Sequence, residues 1–202
     1  MTDFPGEHPE PPGDLAGRSP LFFNLAVGSV FSRIHNRNDG PVFFGKTGRN
    51  RFDSPDGSFG VLYVGFDEHC AFIETFGEST GIRTLTRRAL EQRNLSYLQT
   101  TESLTLIDLV SSGGLARIGA DARLFSGSHA VAQRWSAALR KHSAKPAGLV
   151  YPARHDAARR SCALFDLPDS VFTATNAGSL LESQHAKLLA AILDTYDFGL
   201  IE

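Results

Sequence analysis

Four residues in the first half of the chain carry side chains that together could hold and cleave a dinucleotide. They are Arg33, Arg51, Tyr63 and Glu74, in that order. Guanidinium groups offer planar, paired donors to phosphate oxygens and stay charged at physiological pH. A tyrosine ring offers a flat surface to a nicotinamide or purine, and a carboxylate stabilises positive charge that develops at a ribose carbon. Cleavage of an N-glycosidic bond needs little more than these groups.

Each of these side chains also has an ordinary structural explanation. A lone arginine is usually solvated or paired, a strand tyrosine usually lies in the core, and a helix glutamate usually faces water. Arg154 and His155, in a basic turn late in the chain, are further candidates for a phosphate or ribose contact, although a surface position is commoner for a histidine. Asp53 and Asp56 flank the basic loop and could form an ordinary loop-stabilising ion pair with Arg49 or Arg51.

The sequence lacks the short motifs of several large enzyme classes. It contains no P-loop, no dinucleotide-binding glycine motif after a strand, no two-histidine zinc helix and no serine nucleophile elbow. His35, His129 and His155 match no metal-ligand spacing, and Cys70 and Cys162 form no close pair. We therefore predict no metal site.

Length and composition predict one folded domain. A chain of 202 residues with 42% hydrophobic content can bury one core, and a formal charge of -2 gives no general attraction to nucleic acid or anionic lipid. No apolar stretch approaches the roughly 20 residues that cross a bilayer, and the acidic, proline-rich N-terminus does not resemble a signal peptide. We expect a cytoplasmic protein with no direct nucleic-acid or membrane partner, a flexible segment over residues 1–20 and a folded domain over residues 21–202.

Periodicity and turn formers predict a mixed α+β fold without regular alternation of strands and helices. Strands are predicted over residues 30–35, 42–44, 61–64, 95–98, 104–110, 148–151, 161–165 and 171–175, and helices over residues 84–93, 129–142 and 184–193. A further helix is predicted between Asp67, which can cap its start, and Gly77, which ends it. The strands at 148–151 and 161–165 flank the basic turn and are expected to pair.

Successive segments of the chain resemble the RES-domain family. The first four are FSRIH at residues 31–35, GRNRFD at 48–53, GVLYV at 60–64 and AFIET at 71–75. Later segments resemble the longer members: LIDL at 106–109, GLARIG at 114–119, QRW at 133–135, GLVYP at 148–152 and ALFD at 163–166. The resemblance covers residues 21–166.

This resemblance implies a single-domain fold similar to that of ADP-ribosyltransferases, NAD⁺ as substrate and, in many members, a toxin role opposed by an Xre-type antitoxin. It implies that Arg51 grips the NAD⁺ phosphates with support from Arg33. Tyr63 would pack on the nicotinamide or its ribose, and Glu74 would be the catalytic carboxylate. Small toxins of this kind often self-associate, so a homodimer is expected.

One position departs from the family pattern. The family's late strand carries a serine after a Tyr-x pair, whereas Tyr151 and Pro152 are followed here by Ala153. Alanine has no hydrogen-bonding side chain, and losing one hydrogen bond at a reacting group costs on the order of tenfold to a thousandfold in rate. Ser161, beyond the turn, is an alternative source of this hydroxyl.

The resemblance leaves several activities open. We expect an NAD⁺ glycohydrolase that uses water or a phosphorylase that uses phosphate. Mono-ADP-ribosyl transfer to a protein is the second alternative. Ala153 favours a third, a weakened NAD⁺-binding or partner-binding module, and a structural domain with no nucleotide site is the last.

Overall fold

The computed structural model describes residues 9–78, 81 and 83–202, which form ten strands and six α-helices. The strands are β1 (Phe22–Leu25), β2 (Val30–Asn36), β3 (Val61–Gly65), β4 (Thr84–Thr86), β5 (Arg93–Thr100), β6 (Leu104–Asp108), β7 (Gly148–Ala153), β8 (Asp156–Phe165), β9 (Phe172–Gly178) and β10 (Gly199–Ile201). The helices are α1 (Glu68–Phe76), α2 (Arg87–Glu91), α3 (Gly114–Ile118), α4 (Arg123–Ser126), α5 (His129–Arg140) and α6 (Ala186–Tyr196). The predicted α+β class is confirmed.

Eight strands form one sheet in the order β1-β6-β7-β8-β3-β2-β5-β9, and β4 pairs with β10 in a small second sheet. The predicted pairing of the two strands around the basic turn, β7 and β8, is confirmed as antiparallel. The ladder between β2 and β3 is limited to a single pair, Ser32 with Gly65, although β2 pairs with β5 along its whole length. The sheet is therefore weakly joined at its middle, between β3 and β2.

Buried side chains on the two faces of the sheet and under α1 form the core. Trp135 of α5 packs with Phe52 on one face, and Phe31 packs with Leu62 on the other. Phe72 of α1 anchors a third group together with α6. Within the described ranges, no helix combines the length and apolarity that crossing a membrane requires.

Helix α1 begins and ends where the sequence predicts. The Asp67 carboxylate accepts a hydrogen bond of 2.7 Å from the Cys70 N–H, which caps the start, and Gly77 closes the last turn. Gly65 allows this helix to lie close to β3, because a Cβ atom there would stand 2.8 Å from the Ala71 nitrogen. A side chain at position 65 would push α1 off the sheet.

The folded part of the chain starts before residue 21. Residues 1–8 of the predicted flexible segment lie outside the described residues, but Leu15 is only 4% exposed and belongs to the core around Trp135. The Trp135 indole N–H donates a hydrogen bond of 2.8 Å to the Pro9 carbonyl. Residues 9–20 therefore pack on α5. The Leu15 side chain and the Pro9 carbonyl hold this segment in place, although its sequence has no periodic apolar pattern.

Two predicted elements are wrong. Residues 42–44 form no strand, and only Gly45 makes an isolated bridge to Val61. Residues 84–93, predicted as one helix, are divided among β4, α2 and the start of β5. The division arises because β4 pairs with the distant β10, and the Thr86 hydroxyl then accepts from the Ala89 N–H and starts α2.

Candidate active site

A cavity of ≈ 370 Å³ opens where β2 and β3 part. Its volume lies in the usual range of ligand pockets, about 300–1,000 Å³. All six residues singled out from the sequence line it: Arg33, Arg51, Tyr63, Glu74, Arg154 and His155. The fold thus brings to one cavity residues from β2, β3, α1, the loop before β3 and the β7–β8 turn.

Glu74 stands on the last turn of α1 and faces the β7–β8 turn. Its Oε1 atom accepts a hydrogen bond of 2.9 Å from the backbone N–H of Arg154. The side chain is exposed to the cavity, yet desolvation by the surrounding walls raises the pKa of this carboxyl. The Arg154 N–H, the Arg154 guanidinium and Arg51 lower the pKa and offset part of the rise. The Glu74 side chain is thus held by the Arg154 backbone and lies within the electrostatic influence of two cations, Arg154 and Arg51.

Backbone carbonyls orient Arg51. One of its terminal nitrogens donates to the Gly127 carbonyl at 2.9 Å and to the Leu124 carbonyl at 3.4 Å. Burial, followed by repulsion from Arg154, lowers the pKa of the Arg51 guanidinium. The group nevertheless keeps its charge at neutral pH, because the pKa of arginine starts above 12. Arg51 therefore presents a fixed positive charge to the cavity.

The Tyr63 hydroxyl is engaged inside the protein. It donates to the Asp53 carboxylate at 3.0 Å and accepts from the Phe52 N–H at 2.9 Å. Neither Asp53 nor Asp56 forms an ion pair with Arg49 or Arg51 among the described residues. Tyr63 and Asn50 donate to Asp53 instead, and Ser54 and Ser58 donate to Asp56. Burial, then Asp53, raises the pKa of the Tyr63 phenol far above its usual range. The Tyr63 ring is thus available to a ligand, whereas its hydroxyl holds the loop.

The Arg33 side chain lies on the sheet face opposite to that of Tyr63. By strand alternation its side chain shares the sheet face of Phe31 and His35, whereas Ser32 shares the face of Tyr63. Its guanidinium donates to the Pro41 carbonyl. Burial lowers the pKa of Arg33 to about 10, which still leaves it charged at neutral pH. Arg33 lies at the edge of the cavity, where a role in support of a phosphate site stays a prediction.

The β7–β8 turn presents His155 and Arg154 to the end of α1. Gly77 permits this approach, because a Cβ atom there would lie 3.1 Å from the His155 ring. Burial, then the positive charges of Arg154 and Arg83, lowers the pKa of His155. The lowered pKa favours the neutral imidazole, which can donate or accept a hydrogen bond.

Several cavity residues had no signal strong enough to single them out in the sequence. They are Ser32, Arg49, Glu78, Arg93, Phe125 and Tyr151. His129, considered above only as a metal ligand, and Ser161, considered as the source of the missing hydroxyl, also line the cavity. The Tyr151 ring packs edge-on against Phe52 at 4.9 Å between centroids. Arg93 and Arg49 reach the cavity from β5 and a loop, and only the folded chain shows this. Tyr151 of β7 and Ser161 of β8 lie directly opposite each other, so their side chains share one face of the sheet.

The two positions considered for the missing hydroxyl differ in the structure. Ala153 is 2% exposed and is absent from the described lining of the cavity. Ser161 is 2% exposed, lines the cavity and lies 3.2 Å from the Cys70 sulfur, measured from Oγ to Sγ. Ser161 as the source of the hydroxyl stays a hypothesis.

The cavity concentrates positive charge in a chain whose formal charge is -2. Five arginines line it, against two glutamates: Arg33, Arg49, Arg51, Arg93 and Arg154 against Glu74 and Glu78. In the part of the chain that the structure describes, the arginine–carboxylate ion pairs involve other arginines. The same part holds no group of three or more metal-ligating side chains. The arrangement favours an anionic organic ligand, with one carboxylate set among the cations.

Comparison with known proteins gives a consistent result. Residues 30–185 match the family described as the RES domain. The chain is 31% identical over 113 residues to a Sinorhizobium fredii (strain NBRC 101917 / NGR234) protein described as "Probable toxin y4kH". The aligned region covers 55% of this chain and 86% of that protein.

A solved structure shares the fold. A chain of the M. tuberculosis MbcT-MbcA toxin-antitoxin complex superposes with a TM-score of 0.59 at 14% identity, over 77% of this chain and 87% of that chain. At this level of identity the similarity is one of fold alone.

Proposed function

The chain belongs to the RES domain family, and from this premise we propose that it is a toxin enzyme that cleaves NAD⁺ at the bond between nicotinamide and ribose. The observation that carries the proposal is Glu74, a carboxylate held at the wall of a cavity rich in arginine. A dinucleotide brings two phosphate groups for the arginines. It also brings a ribose carbon that becomes positive as the base departs, which a carboxylate stabilises.

The reaction needs little from the protein beyond charge and position. The bond between the ribose carbon and the nicotinamide nitrogen breaks, and its electron pair leaves with the nicotinamide, which becomes neutral. The ribose carbon then carries the positive charge, and the ionised Glu74 stabilises it. Water or phosphate adds to this carbon and, with water, loses a proton, so that the products are nicotinamide and ADP-ribose or its phosphate ester.

The other cavity groups have distinct proposed roles. Arg51, fixed by two backbone carbonyls, binds the phosphates, and Arg154 adds a second cation near the same carboxylate. The Tyr63 ring lies against the nicotinamide or its ribose, while the Tyr63 hydroxyl holds the loop before β3 that carries Arg51. Arg33 and His155 support the phosphate or ribose end from the cavity edge.

A neutralising partner is part of the proposal. The relative described as a probable toxin and the solved toxin-antitoxin complex support a toxin role with an antitoxin protein, which we propose to be of the Xre type. Depletion of NAD⁺ explains how a single small enzyme would arrest a cell. Co-expression with the protein encoded next to it should restore growth if that protein is the antitoxin.

Glu74→Gln tests the chemistry. We expect the purified protein to release nicotinamide from NAD⁺ and the variant to do so about 100- to 1,000-fold more slowly, because the amide keeps the shape and loses the charge. Glu91→Gln is the matched control, since Glu91 is exposed on α2 outside the cavity. Equal nicotinamide release by the Glu74 variant and the unmodified protein would remove Glu74 from the mechanism.

The acceptor is decided in the same assay. Product analysis with and without phosphate separates ADP-ribose from its phosphate ester. A labelled macromolecular band with labelled NAD⁺ would instead indicate transfer to a protein. NAD⁺ binding without any product would indicate a weakened binding module.

A further inference from the structure

Arg159 joins two carboxylates that belong to different elements of the active site. Its Nη1 atom donates to Asp67 at 2.7 Å, and its Nε atom donates to Asp156 at 3.0 Å. The three side chains are partly buried, with exposed fractions of 26% for Arg159, 38% for Asp67 and 22% for Asp156. None of the three lines the cavity. Salt bridges with two partners and separate donors fix a guanidinium more firmly than a single surface pair.

Each carboxylate also anchors its own element. The second oxygen of Asp67 accepts from the Cys70 N–H and so caps α1, the helix that carries Glu74. Asp156 lies at the start of β8, where it accepts from the Tyr196 hydroxyl of α6 at 2.9 Å and from the Ala158 N–H at 3.2 Å.

The two anchored elements meet at the reacting carboxylate. Asp156 follows Arg154 by two residues in the tight β7–β8 turn, and the Arg154 N–H donates to Glu74 Oε1 at 2.9 Å. The register of β7 and β8 shifts at this turn, between Pro152 and Ala153, so the ladder alone does not fix the turn's direction. Arg159 links α1 to the β7–β8 turn a second time, through its contacts with Asp67 and Asp156.

We propose that Arg159 is a positioning residue, which through Asp67 and Asp156 holds the β7–β8 turn against α1 so that the Arg154 N–H stays on Glu74. The proposal rests on the proposed function only for its effect on the reaction. It explains why an arginine outside the cavity is tied to both walls that meet at Glu74. A displacement of about 1 Å at such a contact costs as much as a hundredfold in rate.

The titration of Glu74 reports on this positioning. The Arg154 N–H stabilises the ionised carboxylate, so withdrawal of that N–H raises the pKa of Glu74. The other groups that face Glu74 or share its end of the cavity are left unsubstituted in every variant below: Arg51, Cys70, Glu78, Tyr151, Arg154 and His155.

Two variants of opposite charge separate positioning from a simple charge effect. Arg159→Met removes a cation, and Asp156→Ala removes an anion. Under the positioning hypothesis both release the turn, and both raise the pKa of Glu74. Charge alone would raise it in Arg159→Met and lower it in Asp156→Ala, because a lost anion favours ionisation of a neighbouring carboxyl.

The measurement is the pH titration of the Arg154 amide signal in a nitrogen-15 spectrum, without NAD⁺. Arg18→Met is the matched control, since Arg18 pairs with Asp14 at 3.0 Å away from the cavity. Tyr196→Phe removes only one hydroxyl from Asp156 and provides a milder variant if the others unfold. A rise of the midpoint in Arg159→Met and Asp156→Ala, a smaller rise in Tyr196→Phe and no change in Arg18→Met support the proposal.

A fall of the midpoint in Asp156→Ala, or unchanged midpoints in folded variants, overturns the proposal. The kinetic counterpart is a decrease of about 10- to 100-fold in kcat for nicotinamide release with KM near its unmodified value. If the unmodified protein releases no nicotinamide, the proposed function fails while the amide titration still decides the role of Arg159.

Discussion

Tyr63→Phe tests whether the Tyr63 hydroxyl holds the loop before β3 that carries Arg51. The substitution removes one oxygen and keeps the ring that faces the cavity. In the structure that oxygen donates to Asp53 at 3.0 Å and accepts from the Phe52 N–H at 2.9 Å. Both Asp53 and Phe52 are 0% exposed, so water cannot replace the lost partner without a rearrangement. Arg51, which precedes Phe52, should lose its fixed position.

The cost follows from the two bonds. A buried N–H left without an acceptor costs about 1–3 kcal/mol, and a lost hydrogen bond to a charged group costs about 1.5–3 kcal/mol. Asp53 retains donors from Asn50 and Thr47, and the two losses share one oxygen, so they are not additive. We expect a decrease of about 2–4 kcal/mol in the free energy of unfolding.

Urea unfolding measures this decrease, and the KM for NAD⁺ should rise because Arg51 is displaced. Tyr97→Phe is the matched control, since the Tyr97 hydroxyl donates to the Glu68 carboxylate at 2.9 Å in a partly exposed site. The control should lose less than Tyr63→Phe, because water can replace the lost partner in the partly exposed site. If Tyr63→Phe costs no more than Tyr97→Phe, the hydroxyl does not hold the loop and the reasoning fails.

Two further predictions concern α1. Gly65→Ala should lower the free energy of unfolding by about 1–3 kcal/mol in urea, because the new methyl stands 2.8 Å from the Ala71 nitrogen and must displace the helix. Gly17→Ala, with open space around it, should have little effect, and equal losses would contradict the close approach. Glu74→Gln should raise Tm near neutral pH. The pKa of Glu74 is higher in the folded protein than in the unfolded chain, so protonated Glu74 stabilises the fold below about pH 4. This stabilisation is lost as the pH rises through the folded-state pKa, because the desolvated carboxyl then ionises. Glutamine stays neutral and avoids that loss. A gain in Tm of the same size at acid pH would contradict this.

The sequence predicts elements well where local patterns decide them. The cap at Asp67, the stop at Gly77 and the apolar stripe of α5 around Trp135 are all local signals, and the structure has each of them. The wrong predictions occur where contacts with residues distant in the sequence determine the secondary structure. Thr84 begins a strand because Gly199 lies beside it, more than a hundred residues later in the chain. No window of neighbouring residues contains that information.

The same distinction applies to the site. Glu74 and Arg51 could be singled out because chemistry and family resemblance both point to them. Arg93 lies on a strand whose place in the sheet is not readable from the chain, so its presence at the cavity could not be predicted. Arg159 is harder still, because its role depends on two hydrogen bonds to elements at opposite ends of the site.

The way the arginines are held bears on why the cavity suits an anion. Arg33 and Arg51 donate to backbone carbonyls, at Pro41, Leu124 and Gly127, rather than to carboxylates. A carbonyl orients a guanidinium without neutralising it, whereas a carboxylate would cancel the charge and compete with an incoming phosphate. Burial of these cations destabilises the folded protein, as their lowered pKa values indicate, so a bound anion should recover that free energy. We therefore expect the proposed anionic ligand to stabilise the folded protein when it binds.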